Sequence, residues 1–188
     1  MIWPGIAIAI ASAAGGLLPA MPAGAQHPPP GNSVSCAYDA MAAEDREIAL
    51  LLMAREFGQG GAFVATSPNL TAIHELIEAA QRTCGTRFRW PAFRAEVAGS
   101  YALTAILGEA IAQSLQAAGH SIVPLDDYYR EHGAALRRDG KFAGDERLAQ
   151  YLSQHGWTDA TEFAAALAAL YLETLIEKDE ARRQFGSR

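Results

Sequence analysis

Apolar residues recur at helical spacing along most of the chain after residue 38, and no stretch has a convincing strand pattern. The first apolar series stops at the glycine-rich residues 58–61. A second begins at Ser67 and Pro68, which provide a helix N-cap and a proline at the first helical position. Its apolar positions are Leu70, Ile73, Ile77, Ala80 and Cys84. The two series predict two helices, the second of which ends at Gly85.

Four further helices are expected beyond residue 90. Their predicted bounds are 91–119, 124 to about 132, 145–155, and a last helix capped by Thr158. Residues 97–108 carry no charge, which indicates a helix buried at the centre of the domain. The charged tail from Glu177 onward is expected to fray. The pattern therefore predicts an all-α fold, a single-domain bundle of about six helices over residues 37–188.

The start of the chain has a different pattern. The first charged residue is Asp39, and an apolar run over residues 6–18 is followed by small residues at Ala23 and Ala25. This order predicts a signal peptide over residues 1–25, cleaved to leave Gln26 first, although its amino-terminal region lacks the usual Lys or Arg. An uncleaved membrane anchor is the alternative, which the prolines of the segment disfavour. Residues 26–36, rich in Pro, Gly and Ser, are interpreted as an extended linker.

The chain has two cysteines, Cys36 and Cys84. An even pair in an exported domain predicts one disulfide bond, and two unrelated buried thiols are the alternative. Cys36 lies just before the first predicted helix and Cys84 at the end of the second. If these helices pack antiparallel, the two residues come within bonding range. We therefore expect the disulfide to stabilise a helical hairpin.

Charge limits the classes of partner. The chain has 15 basic and 21 acidic residues, a net charge of −6, and its composition is half hydrophobic, as in ordinary soluble domains. Binding to the phosphates of nucleic acid requires a basic face, so a nucleic-acid partner is not expected. No metal and no cofactor are predicted. Once the signal peptide is removed, no stable membrane span is expected.

A segment that mixes arginines with aromatic residues is the first candidate binding site. Its residues are Arg87, Phe88, Arg89, Trp90 and Arg94. Guanidinium groups bind phosphate or carboxylate, and aromatic rings stack on bases or sugars. In an extended segment the rings would project to one side and the arginines to the other. The alternative interpretation is structural: the rings fill the junction between two helices, and the arginines remain in water.

Histidines and acidic residues give a second candidate. His120, His132 and His155, with Asp126 and Asp127 nearby, suggest a mixed metal site. Against this, each histidine lies near a predicted helix C-terminus, where a cation is favoured without a metal. Adjacent carboxylates, as in Asp126 and Asp127, point about 100° apart on a helix and make no catalytic pair. The same objection applies to the other acidic pair, at residues 44–45.

These observations favour a non-enzymatic, envelope-associated binding domain, periplasmic or secreted, whose partner is a protein or an envelope polymer. The alternative is a small envelope hydrolase, assisted by a metal at the histidines and aspartates just named. A third hypothesis is assembly through an exposed apolar face of the last helix. No motif is specific enough to indicate a protein family.

Overall fold

The computed structural model describes residues 31–58, 67–139, 146–158 and 160–187. These residues form seven helices and no strand, which confirms the all-α prediction over this part of the chain. The helices are α1 (Cys36–Asp39), α2 (Ala43–Gly58), α3 (Pro68–Phe88), α4 (Ala92–Ala117), α5 (Val123–Asp139), α6 (Glu146–Gln154) and α7 (Glu162–Gly186). The predicted signal peptide and residues 26–30 of the predicted linker lie outside the described residues. None of the helices described is long and apolar enough to cross a membrane.

Helix α4 is the centre of the bundle, as its uncharged residues predicted. It packs against α7 most extensively, and also against α1, α2 and α3. Its inward positions, Ala98, Ala102, Ile106, Ile111 and Leu115, are fully buried. Small residues on this helix let its neighbours approach its backbone closely. The apolar core therefore forms around α4, against which α1, α2, α3 and α7 pack.

The predicted disulfide bond is confirmed. Cys36 and Cys84 are bonded with their Cα atoms 6.2 Å apart, and both residues are buried. The bond joins α1, a helix of four residues, to the last turns of α3. Helical structure begins at Cys36. Residues 33–36 form a turn just before it, in which the Cys36 amide donates to the Ser33 carbonyl at 3.0 Å. The end of the predicted linker is thus a tight turn into α1.

The start of α3 follows its sequence signal. Ser67 is the N-cap, its hydroxyl accepting from the Asn69 amide at 3.1 Å, and Pro68 is the first helical residue. The buried carboxylate of Glu56 on α2 accepts from the Ser67 hydroxyl at 2.5 Å and from the Asn69 side chain at 2.6 Å. An acid near a helix N-terminus is favoured by the helix dipole. Glu56 therefore fixes the start of α3 against the end of α2.

Several predicted helix ends were wrong. Helix α3 continues through Gly85 and stops at Arg89, whose left-handed backbone (φ 53°, ψ 47°) ends the helix just before Pro91. Helix α5 extends seven residues beyond the expected end at His132, because Leu136 continues its buried face. Helix α7 is capped by Thr161 and not Thr158: the Thr161 hydroxyl accepts from the Ala164 amide at 3.1 Å.

The charged tail does not fray. Helix α7 runs to Gly186, and Ala181 and Phe185 in its last turns are buried. Its other buried apolar residues include Leu167, Ala168 and Leu172, which face the core. Among its large apolar side chains Phe163 is exposed. The apolar face of α7 is thus largely covered within the domain.

Candidate functional site

The rings of the arginine–aromatic segment form a junction between helix ends. Phe88 stacks on Trp90 with centroids 6.0 Å apart, and Trp90 meets Phe185 of α7 edge-on at 5.1 Å. The Trp90 indole also donates to the Asn32 side chain at 2.7 Å. These contacts join the end of α3, the end of α7 and the segment before α1. The expectation of an extended segment was wrong, since Arg87 and Phe88 are the last residues of α3.

The arginines of this segment divide into two kinds. Arg94 is half-buried with its guanidinium 5.3 Å from the centre of the Phe185 ring. Arg87 and Arg89 are exposed, and the Arg87 guanidinium lies 5.1 Å from the centre of the Phe88 ring. The surface offered to a partner is therefore Arg87 and Arg89, with the rings partly buried behind them.

The histidines do not meet at a metal site. His132 packs on Tyr128 (4.6 Å between centroids), Tyr128 on Tyr151 (5.0 Å), and Tyr151 on His155 (4.0 Å), so two tyrosines separate the two histidines. His120 stacks on Trp157 at 4.5 Å. Across the residues described, no group of three or more His, Cys, Asp or Glu side chains could hold a metal ion.

The neighbouring aspartates also have separate partners. Asp126 accepts from the Tyr171 hydroxyl at 2.9 Å, and Asp127 binds Arg130 at 2.6 Å. His132 and His155 instead lie at the two ends of a row of stacked rings that joins α5 to α6 and the residue after it. The structure therefore gives the metal-assisted hydrolase no site among these residues.

A cleft that the sequence did not reveal lies between α1, α4 and α7. Its volume is about 380 Å³, and we call it the tyrosine–lysine cleft. The side chains that define it are Tyr38, Tyr101, Glu109, Tyr171 and Lys178, around the backbone of Gly108. Pockets for small ligands are concave and combine apolar walls with a few polar groups. This cleft has that character.

Helical spacing explains how these residues meet. Tyr101 and Gly108 are seven residues apart on α4, and Tyr171 and Lys178 are seven apart on α7. Residues two turns apart share a helix face, so each pair lines the groove between the two helices. A Cβ atom at Gly108 would lie 2.8 Å from the Thr174 hydroxyl oxygen and 3.8 Å from the Lys178 ammonium nitrogen. Gly108 therefore lets α7 approach α4 at the floor of the cleft.

Lys178 has an unusual environment. Its side chain is half-buried and, among the residues described, its ammonium has neither a hydrogen bond nor an ion pair. Burial lowers the pKa of Lys178 below its ordinary value, and the charge of Arg182 lowers it further. The carboxylates of Asp126 and Asp179 act in the opposite direction but do not cancel the shift. The cleft thus contains a cation that makes no direct ion pair with any residue that the structure describes.

The tyrosine hydroxyls are oriented by charged neighbours. Tyr38 donates to Glu109 and Tyr171 donates to Asp126; burial, followed by these carboxylates, raises the pKa of both phenols. The Tyr101 hydroxyl accepts from Arg182 at 3.1 Å, so its hydrogen can donate to a ligand. With their pKa raised, the phenols of Tyr38 and Tyr171 are hydrogen-bonding groups and not bases at neutral pH.

Arg182 is itself fixed by a network on the far side of the cleft. Asp179 accepts from Arg182 at 2.7 Å, from Tyr129 at 2.6 Å and from Arg137 at 3.4 Å. Burial alone would raise the pKa of Asp179, but the hydrogen bonds from Tyr129 and Arg182 and the nearby positive charges lower it overall. Arg182 therefore keeps one orientation, with its guanidinium on the Tyr101 hydroxyl.

The tyrosine–lysine cleft was not predicted from the sequence. Lys178 lies in the charged end of α7, which the pattern assigned to a fraying tail, and the tyrosines of the cleft belong to no sequence motif. The available signal was the seven-residue spacing of Tyr101 and Gly108 and of Tyr171 and Lys178. That signal predicts a shared face but not which helices pair. Comparison with models of protein families, with curated proteins and with solved structures finds no match to this chain.

Proposed function

We propose that this chain is an exported helical domain that binds a small ligand, through an anionic group of that ligand, in the tyrosine–lysine cleft. The observation that carries the proposal is the Lys178 ammonium, which lines a cavity of about 380 Å³ and has no direct hydrogen bond or ion pair among the residues described. A partly desolvated charge without a direct partner costs free energy, and a bound anion would offset that cost. Perturbed ionisable groups in clefts are typical of functional sites.

The residues around Lys178 can also contribute to the binding of an anion. The Tyr101 hydroxyl can donate a second hydrogen bond to an anion held by Lys178, and Arg182 adds positive charge behind it. The phenols of Tyr38 and Tyr171 are already hydrogen-bonded to carboxylates. Oriented hydrogen-bonding groups around a cavity are suited to ligand recognition, so the proposal keeps the binding function expected from the sequence.

Export, to the periplasm or the exterior, is the second part of the proposal. Its support is the Cys36–Cys84 disulfide, since such bonds persist in oxidising compartments. The uncharged, apolar start of the chain adds to it, with small residues placed for signal cleavage before Gln26.

The test is calorimetric titration of the purified protein with acetate, citrate, inorganic phosphate and a mixture of amino acids. We expect at least one anionic ligand to bind the wild type, and Lys178→Met to lose about tenfold or more in affinity for it, because a charge-assisted hydrogen bond is removed. Lys178→Arg should retain part of the affinity. The control is Arg183→Gln, which removes an exposed positive charge from the same helix, where Arg183 pairs with Glu180. Equal affinities in Lys178→Met and the wild type would contradict the proposal.

A second candidate function rests on the exposed pair Arg87 and Arg89, which could bind an acidic envelope polymer or protein. We expect the wild type to be retained on an acidic polysaccharide column and to elute at higher salt than the Arg87→Ala, Arg89→Ala double variant. Elution of the wild type and the double variant at the same salt concentration would contradict this second function. That result would not bear on ligand binding in the cleft.

A further inference from the structure

The tyrosine–lysine cleft contains carboxylates as well as an ammonium. Glu109 lines it from α4, and Asp39 lines it from α1. Neither carboxylate makes an ion pair within the described residues; Glu109 accepts from the Tyr38 hydroxyl, and Asp39 from the Ser35 hydroxyl at 2.7 Å. A carboxylate has about four lone-pair sites, so each keeps acceptor capacity for a ligand. The cleft is therefore charged with both signs.

We call Lys178, on α7, the positive pole of the cleft, and Glu109 on α4 with Asp39 on α1 its negative pole. The charges that act on Lys178 belong to Arg182, Asp126 and Asp179. Those that act on Tyr38, at the other wall, belong to Glu109, Arg46 and Asp39. Lys178 and Glu109 line one cavity on two helices in contact, and within the described residues they do not form a salt bridge. Both charges are therefore available to a ligand in the cleft.

We infer that the cleft selects a small zwitterion, a free amino acid or a very short peptide, with its carboxylate at Lys178 and Tyr101 and its ammonium at Glu109 and Asp39. This inference rests on the proposed function and names its ligand class. A molecule with one negative and one positive end interacts favourably with both poles at once, whereas a simple anion makes no favourable contact with Glu109 and Asp39. The rings of Tyr38, Tyr101 and Tyr171 supply apolar walls for the ligand's carbon skeleton.

The volume agrees with this class. A cavity of about 380 Å³ is near the lower end of the range for ligand pockets, so it admits an amino acid or a dipeptide and excludes a folded partner. The two walls come from different helices, α1 and α7, which both pack on α4. The distance between the poles is thus set by rigid elements, which allows selection by charge separation and not by charge alone.

The experiment uses the full chain and a matched ligand series. Each common L-amino acid is titrated calorimetrically, and the tightest is compared with its N-acetyl derivative, which lacks the positive charge, and with its amide, which lacks the negative charge. We expect both derivatives to bind about tenfold or more weakly than the parent, since each loses a charge-assisted contact. An N-acetyl derivative that binds as tightly as its parent would overturn the inference.

Two variants assign the poles. Glu109→Gln should bind the amino acid and its N-acetyl derivative with similar affinity, and Lys178→Met should no longer distinguish the amino acid from its amide. Glu96→Gln is the control, because Glu96 is exposed on α4 and lies outside this cleft. Circular dichroism and melting temperature establish that each variant is folded. Unchanged discrimination in a folded Glu109→Gln variant would also overturn the inference.

The remaining outcomes separate the two proposals. Binding of citrate, acetate or phosphate at Lys178, with no amino acid bound, would contradict the zwitterion and leave the anion site intact. Absence of binding by every anion and every amino acid would contradict both.

Discussion

Gly108 determines how closely α4 and α7 approach at the floor of the cleft. A Cβ atom there would lie 2.8 Å from the hydroxyl oxygen of Thr174, which is fully buried and donates to the Tyr171 carbonyl at 2.6 Å. Because that hydroxyl is already bonded inside the core, it cannot move aside without losing its partner. Glycine in a helix interior costs about 0.5–1 kcal/mol relative to alanine, so close packing is the reason to have it here.

We expect Gly108→Ala to lower the free energy of unfolding by about 1–3 kcal/mol, the usual effect of overpacking a core. Gly85→Ala is the matched control. Gly85 also lies inside a helix, but a Cβ there meets nothing within 4 Å, so the variant should be more stable by up to about 1 kcal/mol. Urea denaturation of the two variants measures both effects. Equal stability of Gly108→Ala and the wild type would contradict this prediction, since it would mean that α4 and α7 can move apart at no cost in free energy.

Lys178 should make stability depend on pH in an alkaline range. Its pKa in the folded state is lowered from the ordinary 10.5, so the unfolded chain binds this proton more tightly. This difference in proton affinity lowers the free energy of unfolding. The loss is complete at pH values below the folded pKa of Lys178, and it disappears as the pH rises through 10.5. We expect Lys178→Met to be more stable than the wild type at pH 7, and we expect the difference to shrink in the alkaline range as the pH approaches and passes 10.5. Urea denaturation of both proteins at several pH values measures this; a difference independent of pH would contradict it.

At the residue scale, sequence prediction succeeded where the signal was local or unique. Ser67 and Pro68, two adjacent residues, predict the start of α3 correctly. The disulfide was predictable because the chain has only two cysteines, which can form one pair. Lys178 could not be identified in this way. Its character comes from burial by α4 and from the absence of a counter-ion among the described residues, and both are properties of the packed structure.

Helix α1 supplies one wall of the cleft and is the helix least able to form alone. It has four residues, far fewer than an isolated helix needs, and its order comes from the disulfide and from packing on α3 and α4. Tyr38 and Asp39 on this helix, with Ser35 before it, form one wall of the cleft. The covalent bond to α3 therefore supports the site as well as the fold.

We expect replacement of both cysteines by serine to lower the free energy of unfolding by up to about 4 kcal/mol, from the loop entropy of a 48-residue separation. Ligand affinity should fall as well, because the α1 wall is no longer fixed. Denaturation and calorimetry of the variant and of the reduced wild type measure the two effects. Identical melting of oxidised and reduced protein would show that packing alone holds α1.

At the element scale, the errors in predicted helix ends have physical causes. Gly85 is a familiar stop signal, but its neighbours keep helical contacts and the chain turns only at Arg89, before Pro91. Thr158 and Thr161 are equally good caps in sequence, and only Thr161 is followed by the turn of α7. Likewise, Phe185 is buried against Trp90, a contact across almost a hundred residues that prevents the charged end of α7 from fraying.

The whole molecule places residues distant in sequence around one cavity. Tyr38 and Glu109, which are hydrogen-bonded, are 71 positions apart, and Tyr171 lies on the last helix. Hydrophobic periodicity indicated the helices and the central position of α4, because both depend on patterns within one segment. It does not indicate which faces meet, so the fold class was predictable and the cleft was not.

The proposed export has a direct test on this scale. Protein recovered from native cells should have the mass of a chain that begins at Gln26 and lacks two hydrogens at its cysteines. Intact mass spectrometry with and without reduction and alkylation measures both. A chain that begins at Met1 with both thiols open to alkylation would contradict export.

Because the disulfide lies beside the cleft, its formation should determine when the protein can bind ligand. If the chain is exported as proposed, the wall formed by α1 has no covalent support while the chain is in the reducing cytoplasm, and the newly made protein would leave the amino-acid pool of its own cell untouched. Oxidation outside the cytoplasm would then complete the wall. Ligand binding would begin only in the oxidising compartment.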